Sequence, residues 1–307
     1  MRFKILLFSI FISSLAISQY RWDYGIQGGA ANYLGDIGGK SQTRRDFVAD
    51  LKLGETRWAI APFVRYKFSP KLSLRGQFAY QRIQGADSLS TNQARRARNL
   101  NFKNDIFELS ATPQLTIYEN QDLGSSYRFK MAFNFYVFAG VGIMHHSPQA
   151  KYQGEWVALQ PLHTEGVNYS LWQFIIPVGT GFYFTVKKKH RIGFEYNWRI
   201  CFTDYLDDVS KHYVSPSTLS PLGAALANRT DELTTADKKT IGEPTGWYNN
   251  FAPGAKRGDS KHNDTYMTMS LNYSYVIRGH GSFYRSRYGS FFGKKKKKNS
   301  RKVRAKF

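Results

Sequence analysis

Few residue types in this chain could do chemistry, and their spacing favours none of it. His145 and His146 adjoin at the end of an alternating stretch. A histidine pair can supply a general base or metal ligands, but these two read as polar residues exposed at a rim. Asp204, Asp207 and Asp208 offer oxygens of the kind Ca²⁺ prefers. The spacing and glycine of an EF-hand loop are missing, and Asp in such runs ordinarily builds turns and caps. Arg257-Gly258-Asp259 spells an adhesion tripeptide, a triplet that arises readily by chance. No Ser/His/Asp arrangement has a recognisable setting. The one cysteine, Cys201, can form neither an intramolecular disulfide nor a multi-cysteine metal site, and its place in an alternating strand makes it a buried or lumenal small residue. The expectation is a protein that is not an enzyme and holds no metal or cofactor.

The elements that carry these residues are strands. From Arg191 to Phe202, apolar Ile192, Phe194, Tyr196, Trp198, Ile200 and Phe202 alternate with Arg191, Gly193, Glu195, Asn197, Arg199 and Cys201. Successive side chains of a β-strand point to opposite faces, so this stretch has one greasy face and one wet face. The pattern recurs and predicts eight strands: Trp22–Tyr33, Trp58–Phe68, Leu72–Ile83, Asp105–Tyr118, Lys130–His145, Tyr169–Val186, Arg191–Phe202 and Thr265–Ile277. Pro62, Pro113 and Pro177 fall inside them, where proline normally marks an edge or a bulge. The links alternate between short and long, the last spanning roughly Thr203–Asp264. Outer-membrane barrels have short periplasmic turns and long external loops, and a soluble sandwich has no reason to sort its loops in this way.

Composition agrees. Aromatics make up 16% of the 307 residues, which suits the interfacial girdles of a barrel. Mean hydropathy is negative, and the only long apolar run opens the chain. Arg2 and Lys4, the apolar stretch Ile5–Leu15 and the small residues Ala16 and Ser18 read as a signal peptide cut between Ser18 and Gln19. No cysteine lies near the cut to carry a lipid anchor.

Two charge patterns remain. An eight-stranded lumen is only wide enough to be filled by side chains. The wet faces put Arg65, Lys67, Arg75, Glu108, Glu195 and Arg199 into it. Buried charges have to pair, so Arg65, Arg75, Glu108, Glu195 and Arg199 are expected to form an ion-pair network that plugs the barrel; a small porin-like barrel with a narrow or gated pore is the alternative. The other pattern is a tail. Net charge is +22, and Arg278–Phe307 carries twelve Lys or Arg and no acid. Arg285, Arg287, Lys294, Lys295, Lys296, Lys297, Lys298, Arg301, Lys302, Arg304 and Lys306 stand there, the first of them among Phe283, Tyr284, Tyr288, Phe291 and Phe292. Like-charge blocks are usually disordered and often serve as interaction arms. Behind a signal peptide, nucleic acid is not the partner; a periplasmic protein, the cell wall or an anionic membrane surface is.

Three stretches carry a family resemblance: Gly28–Asp36 (GGAANYLGD), Thr203–Ser210 (TDYLDDVS) and Arg257–Tyr266 (RGDSKHNDTY). Together they resemble a family of Bacteroidetes outer-membrane barrels of the DUF6089 type, and the basic extension fits the PorG-like barrels of the type IX secretion system best. The resemblance implies a structural role: anchoring or organising the periplasmic ring of that machine, built from PorK-like and PorN-like proteins, through the tail or the short periplasmic turns.

The expected protein is thus all-β. It has a signal peptide over 1–18, an eight-stranded antiparallel transmembrane barrel over 19–278 with long extracellular loops, and a disordered basic tail over 279–307. Both mature termini would be periplasmic, and outer-membrane lipid would be its surroundings.

Overall fold

A computed structural model describes residues 22–38, 53–120, 131–241 and 251–277. Its strands are β1 (Trp22–Leu34), β2 (Arg57–Lys67), β3 (Leu72–Ala86), β4 (Asn101–Asn120), β5 (Met131–Ala139), β6 (Val141–Tyr152), β7 (Glu155–Ala158), β8 (Trp172–Val186), β9 (His190–Cys201) and β10 (Thr265–Val276). All pairings are antiparallel, and β1 pairs with both β2 and β10, so the sheet closes on itself. β5 and β6 both lie between β4 and β8 and together make one wall of the ring. The barrel therefore has eight staves. The short β7 pairs only with the far end of β6, a hairpin extension that the sequence pattern does not show. β4 also begins earlier than expected, at Asn101.

The three prolines do not shift the register. Pro62 sits where the β2–β3 ladder lapses between Ile60↔Tyr80 and Phe63↔Gln77, and the pairing resumes in step. Pro113 and Pro177 flank the junction of β5 and β6 from either side. Each lacks the N–H that a ladder needs, and the break falls between them at Gly140. The Gly140 N–H donates to the Pro177 carbonyl at 2.9 Å. A Cβ on Gly140 would lie 2.3 Å from the Ala111 carbonyl oxygen, so the backbones can approach there only because the residue is glycine. A true irregularity occurs between Thr116 and Tyr118.

Burial is inside out relative to a soluble domain. Phe174, Leu271 and Val141 are 72%, 68% and 67% exposed, whereas Arg75, Glu108 and Glu195 are at 0%. A soluble protein rarely displays an apolar surface of this extent; a lipid-facing barrel wall requires it. Aromatic rings band the wall at two levels. Trp22, Tyr66 and Phe68 pack together near the short turns, and Trp58, Tyr80, Phe107, His145 and Trp172 near the long loops. Tyr66 is eight residues from Trp58, about 20 Å across the wall at a strand tilt of ~40°. That is close to the height of an outer-membrane apolar band. The fold is an antiparallel eight-stranded barrel of outer-membrane type. No helix among the described residues is long and apolar enough to cross a membrane.

The described parts of the long connections gather at one end and pack there. They include short helices over Gln93–Arg98 and Pro221–Ala227. Asn92 caps the first by accepting the N–H groups of Ala94 and Arg95, and Ser220 caps the second through the Gly223 N–H. Such caps let helices of under two turns persist. At the other end, β8 turns into β9 through Lys187 and Lys188, whose φ angles of 51° and 56° are left-handed. Glycine or asparagine ordinarily takes these hairpin positions.

Candidate functional site

Alternation in the strands aims the polar side chains of β1–β4 and β8–β10 at a common axis. Arg75 on β3 reaches across to Glu195 on β9, the diametrically opposite stave, and grips it with both terminal nitrogens, one at 2.9 Å. Tyr136 on β5 donates its hydroxyl to the same carboxylate at 2.7 Å. Arg199 on β9 donates Nε to Glu108 on β4 at 3.0 Å. Gln81 and Tyr266 donate to that carboxylate at 2.9 and 3.2 Å. A two-pronged arginine–carboxylate pair supplemented by neutral donors is the arrangement that makes buried charge tolerable.

Arg65 pairs elsewhere. Its partner is Asp23 at 3.4 Å, which Arg191 also grips. The Arg65 guanidinium lies 5.1–5.7 Å from the ring centres of Phe63, Tyr136 and Tyr183, so aromatic faces supply the rest of its neutralisation. The network expected from the sequence omits Asp23 and Arg191. Both occupy inward positions at strand ends, where strict parity counting finds them. Between the plugging layers, a cavity lined by Gln27, Gln77, Gln81, Arg199, Thr268 and Ser270 has a volume of about 10 Å³, near the minimum for one water.

Above the plug the long loops form a cap, a feature with no signal in the strand pattern. Arg257 is its keystone. It is 3% exposed, pairs with Glu165 at 3.0 Å, and donates to the backbone carbonyls of Asp208 and Ala227. Arg98 grips Asp87 at 2.8 and 2.9 Å and donates to the carbonyls of Arg257 and Asp36. These two guanidiniums join all four long connections. Burial would lower the proton affinity of Arg98, but the Asp87 carboxylate overrides this and raises it. The tripeptide at Arg257–Asp259 is therefore not displayed as an adhesion ligand: its arginine is spent inside the cap.

The three aspartates separate. Asp208 accepts from the hydroxyls of Thr164 and Tyr169. Burial lifts its carboxyl to about 6 despite the nearby Arg257. Asp207 turns instead towards Tyr33. No group of three or more His, Cys, Asp or Glu among the described residues is arranged to hold a metal ion. The histidine pair also divides. His145 faces outward against Trp172 at 5.0 Å. His146 is fully buried, stacked 6.3 Å from Tyr169 and 3.3 Å from the Asn104 amide, which corrects its expected place on an exposed rim. β6 continues past it to Tyr152, so the rim lies further along. Cys201 is buried at 1% exposure beneath the cap.

Ser18, Gln19 and the basic cluster from Arg285 to Lys306 lie outside the described residues.

Among solved structures, the chain is similar to Ail, the attachment invasion locus protein of Yersinia pestis, crystallised with the heparin analogue sucrose octasulfate. The identity is 12%, over 84% of this chain and 99% of that one, with a TM-score of 0.34. Neisserial surface protein A matches at 10% identity over 83% and 97% of the two chains, with a TM-score of 0.36. A major outer membrane protein from Thermus thermophilus matches at 11% over 83% and 99%, with a TM-score of 0.30. No curated protein matches the chain. A family described as a domain of unknown function, DUF6089, matches residues 1–220.

Proposed function

The chain belongs to the DUF6089 family, and from the filled lumen and the sequence resemblance to PorG-like barrels we propose that it is a non-enzymatic outer-membrane anchor for periplasmic machinery. The short-turn end would face the periplasm, with both mature termini there. The carrying observation is that ion pairs occupy the axis while packed loops cover one end, which moves function from the lumen to the ends of the barrel. The end with short turns presents Lys71 and Lys187–Lys189, and there the described chain enters β1 at Trp22 and leaves β10 towards Ile277, so the twelve cations that follow Ile277 in the sequence would start from that side. Each basic residue near an anionic surface contributes about 1 kcal/mol, so half of that tail would dock usefully and in a salt-sensitive way. By family resemblance, the partners are the periplasmic ring proteins of the type IX secretion system, PorK-like and PorN-like.

Deleting residues 279–307 should leave the barrel folded in the outer membrane while crosslinked co-purification of periplasmic partners falls at least severalfold. Unchanged co-purification would remove the tail from the proposal. The same preparations should give no steady conductance in planar bilayers; steady channels from pure protein would favour the narrow-pore reading instead.

A further inference from the structure

Tyr33, at the last turn of β1 before the cap, makes two contacts that its single proton cannot serve. Its hydroxyl oxygen lies 2.6 Å from Asp207 Oδ2 and 2.6 Å from Asp264 Oδ1, and it accepts the Asp36 N–H at 3.0 Å. A phenol donates once. One of the two carboxyl contacts therefore needs a proton from the carboxyl side. The remaining bonds say which. Asp207 Oδ2 already accepts the Ile37 N–H at 3.0 Å and Oδ1 the Val209 N–H at 2.9 Å, as an ionised carboxylate does. Asp264 Oδ2 accepts the Leu206 N–H at 3.0 Å, while its Oδ1 meets Tyr33. A proton on Asp264 Oδ1 completes the set: Asp264 donates to Tyr33, and Tyr33 donates to Asp207.

A further carboxylate independently marks the spot as short of positive charge. Asp204 is 8% exposed, and its Oδ2 is buried with no hydrogen-bond partner among the described residues. We propose that the loop cap is latched to the barrel by a proton held on Asp264 and relayed through Tyr33 to Asp207, and that losing this proton releases the cap.

The surroundings oppose a second negative charge. Asp204 and Asp36 face the pair, Glu165 lies behind Asp204, and Asp259 stands beside Asp36. Arg98 and Arg95 are the cations nearby, and Arg98 is already held by Asp87. Burial first, and then Asp207 and Asp204, push the Asp264 carboxyl well above the usual carboxylate range. Burial and Asp36 push Asp207 up as well, to about 8, so the two carboxyls on Tyr33 compete for one proton, and the N–H bonds to both Asp207 oxygens place it on Asp264. A group whose affinity for protons is raised in the closed form stabilises that form most at low pH, and the stabilisation fades as pH rises from the ordinary carboxylate value to the raised one.

Cys201, the only cysteine, packs in one apolar cluster with Leu206 and Tyr266 under the latch and is a native reporter. In the full chain in detergent, its maleimide labelling rate is measured folded and urea-unfolded at each pH. The ratio of the two cancels ionisation of the thiol and reads the opening of the cap. That ratio should rise between about pH 6 and 8, by at least tenfold per pH unit if the latch proton is lost on opening. Asp264→Asn keeps an N–H donor towards Tyr33 that cannot dissociate, so its ratio should stay lower than the wild type's and rise less steeply with pH. A flat wild-type ratio overturns the latch, as does an Asp264→Asn slope equal to the wild type. Protection in the wild type that vanishes with EDTA at constant pH would overturn it in favour of a bound cation.

Discussion

Glu195→Ala should cost the barrel about 3–5 kcal/mol, the usual consequence of stranding one partner of a buried ion pair. Arg75 would lose both of its charge-assisted bonds, and Tyr136 would lose its acceptor. Thermal unfolding followed by heat-modifiable gel migration measures the loss. The pair itself is a different quantity. Replacing both residues by Leu, as Arg75→Leu with Glu195→Leu, trades an ion pair for apolar packing, which is often close to neutral. The double variant should therefore lie nearer the wild type than either single one. A double loss equal to the sum of the single losses would mean that the two side chains act independently, contrary to their contact.

Arg257→Ala should open the cap and spare the barrel. The substitution leaves Glu165 buried at 6% exposure without its guanidinium and frees the carbonyls of Asp208 and Ala227. A local loss of about 3–5 kcal/mol follows for a broken buried pair, enough to populate an opened cap without global unfolding. Trypsin in the presence of detergent should then cut the Thr203–Asp264 connection at least a hundredfold faster, while the barrel keeps its heat-modifiable band. Arg257→Lys preserves the charge but not the fork, so it should fall between the two. Equal cleavage of wild type and Arg257→Ala would show that Arg257 does not hold the loops.

These two residues also show where a sequence is legible. Glu195 and Arg75 lie in strands whose period of two is unbroken, and parity alone puts both in the lumen. Which cation meets which acid depends on the stagger of staves on opposite sides of the ring. That is why Arg65 shares Asp23 with Arg191 rather than joining the acids of β4 and β9. Arg257 lies in a connection with no period at all. Nothing local distinguishes it from Lys256, which is exposed and bonded to Asp259; its burial is decided by residues 30 to 159 positions away. His146 misleads for a related reason. Its strand runs on well past the apolar belt, so the end of the hydrophobic pattern is not the end of the stave. The prolines are legible as interruptions, but their shared target at Gly140 emerges only when the neighbouring staves are aligned.

The plug has a consequence for kinetics. Its pairs join staves that are distant in the chain: 120 residues separate Arg75 from Glu195, and 91 separate Glu108 from Arg199. Both pairs need the sheet curled enough for staves on different sides of the ring to face each other, so both form late, as the barrel closes. Contacts absent from the transition state scarcely change the rate of folding and fall almost wholly on the rate of unfolding. The lumen charges would thus act as a late-closing clasp, setting how long an assembled barrel lasts in the membrane more than how quickly it assembles.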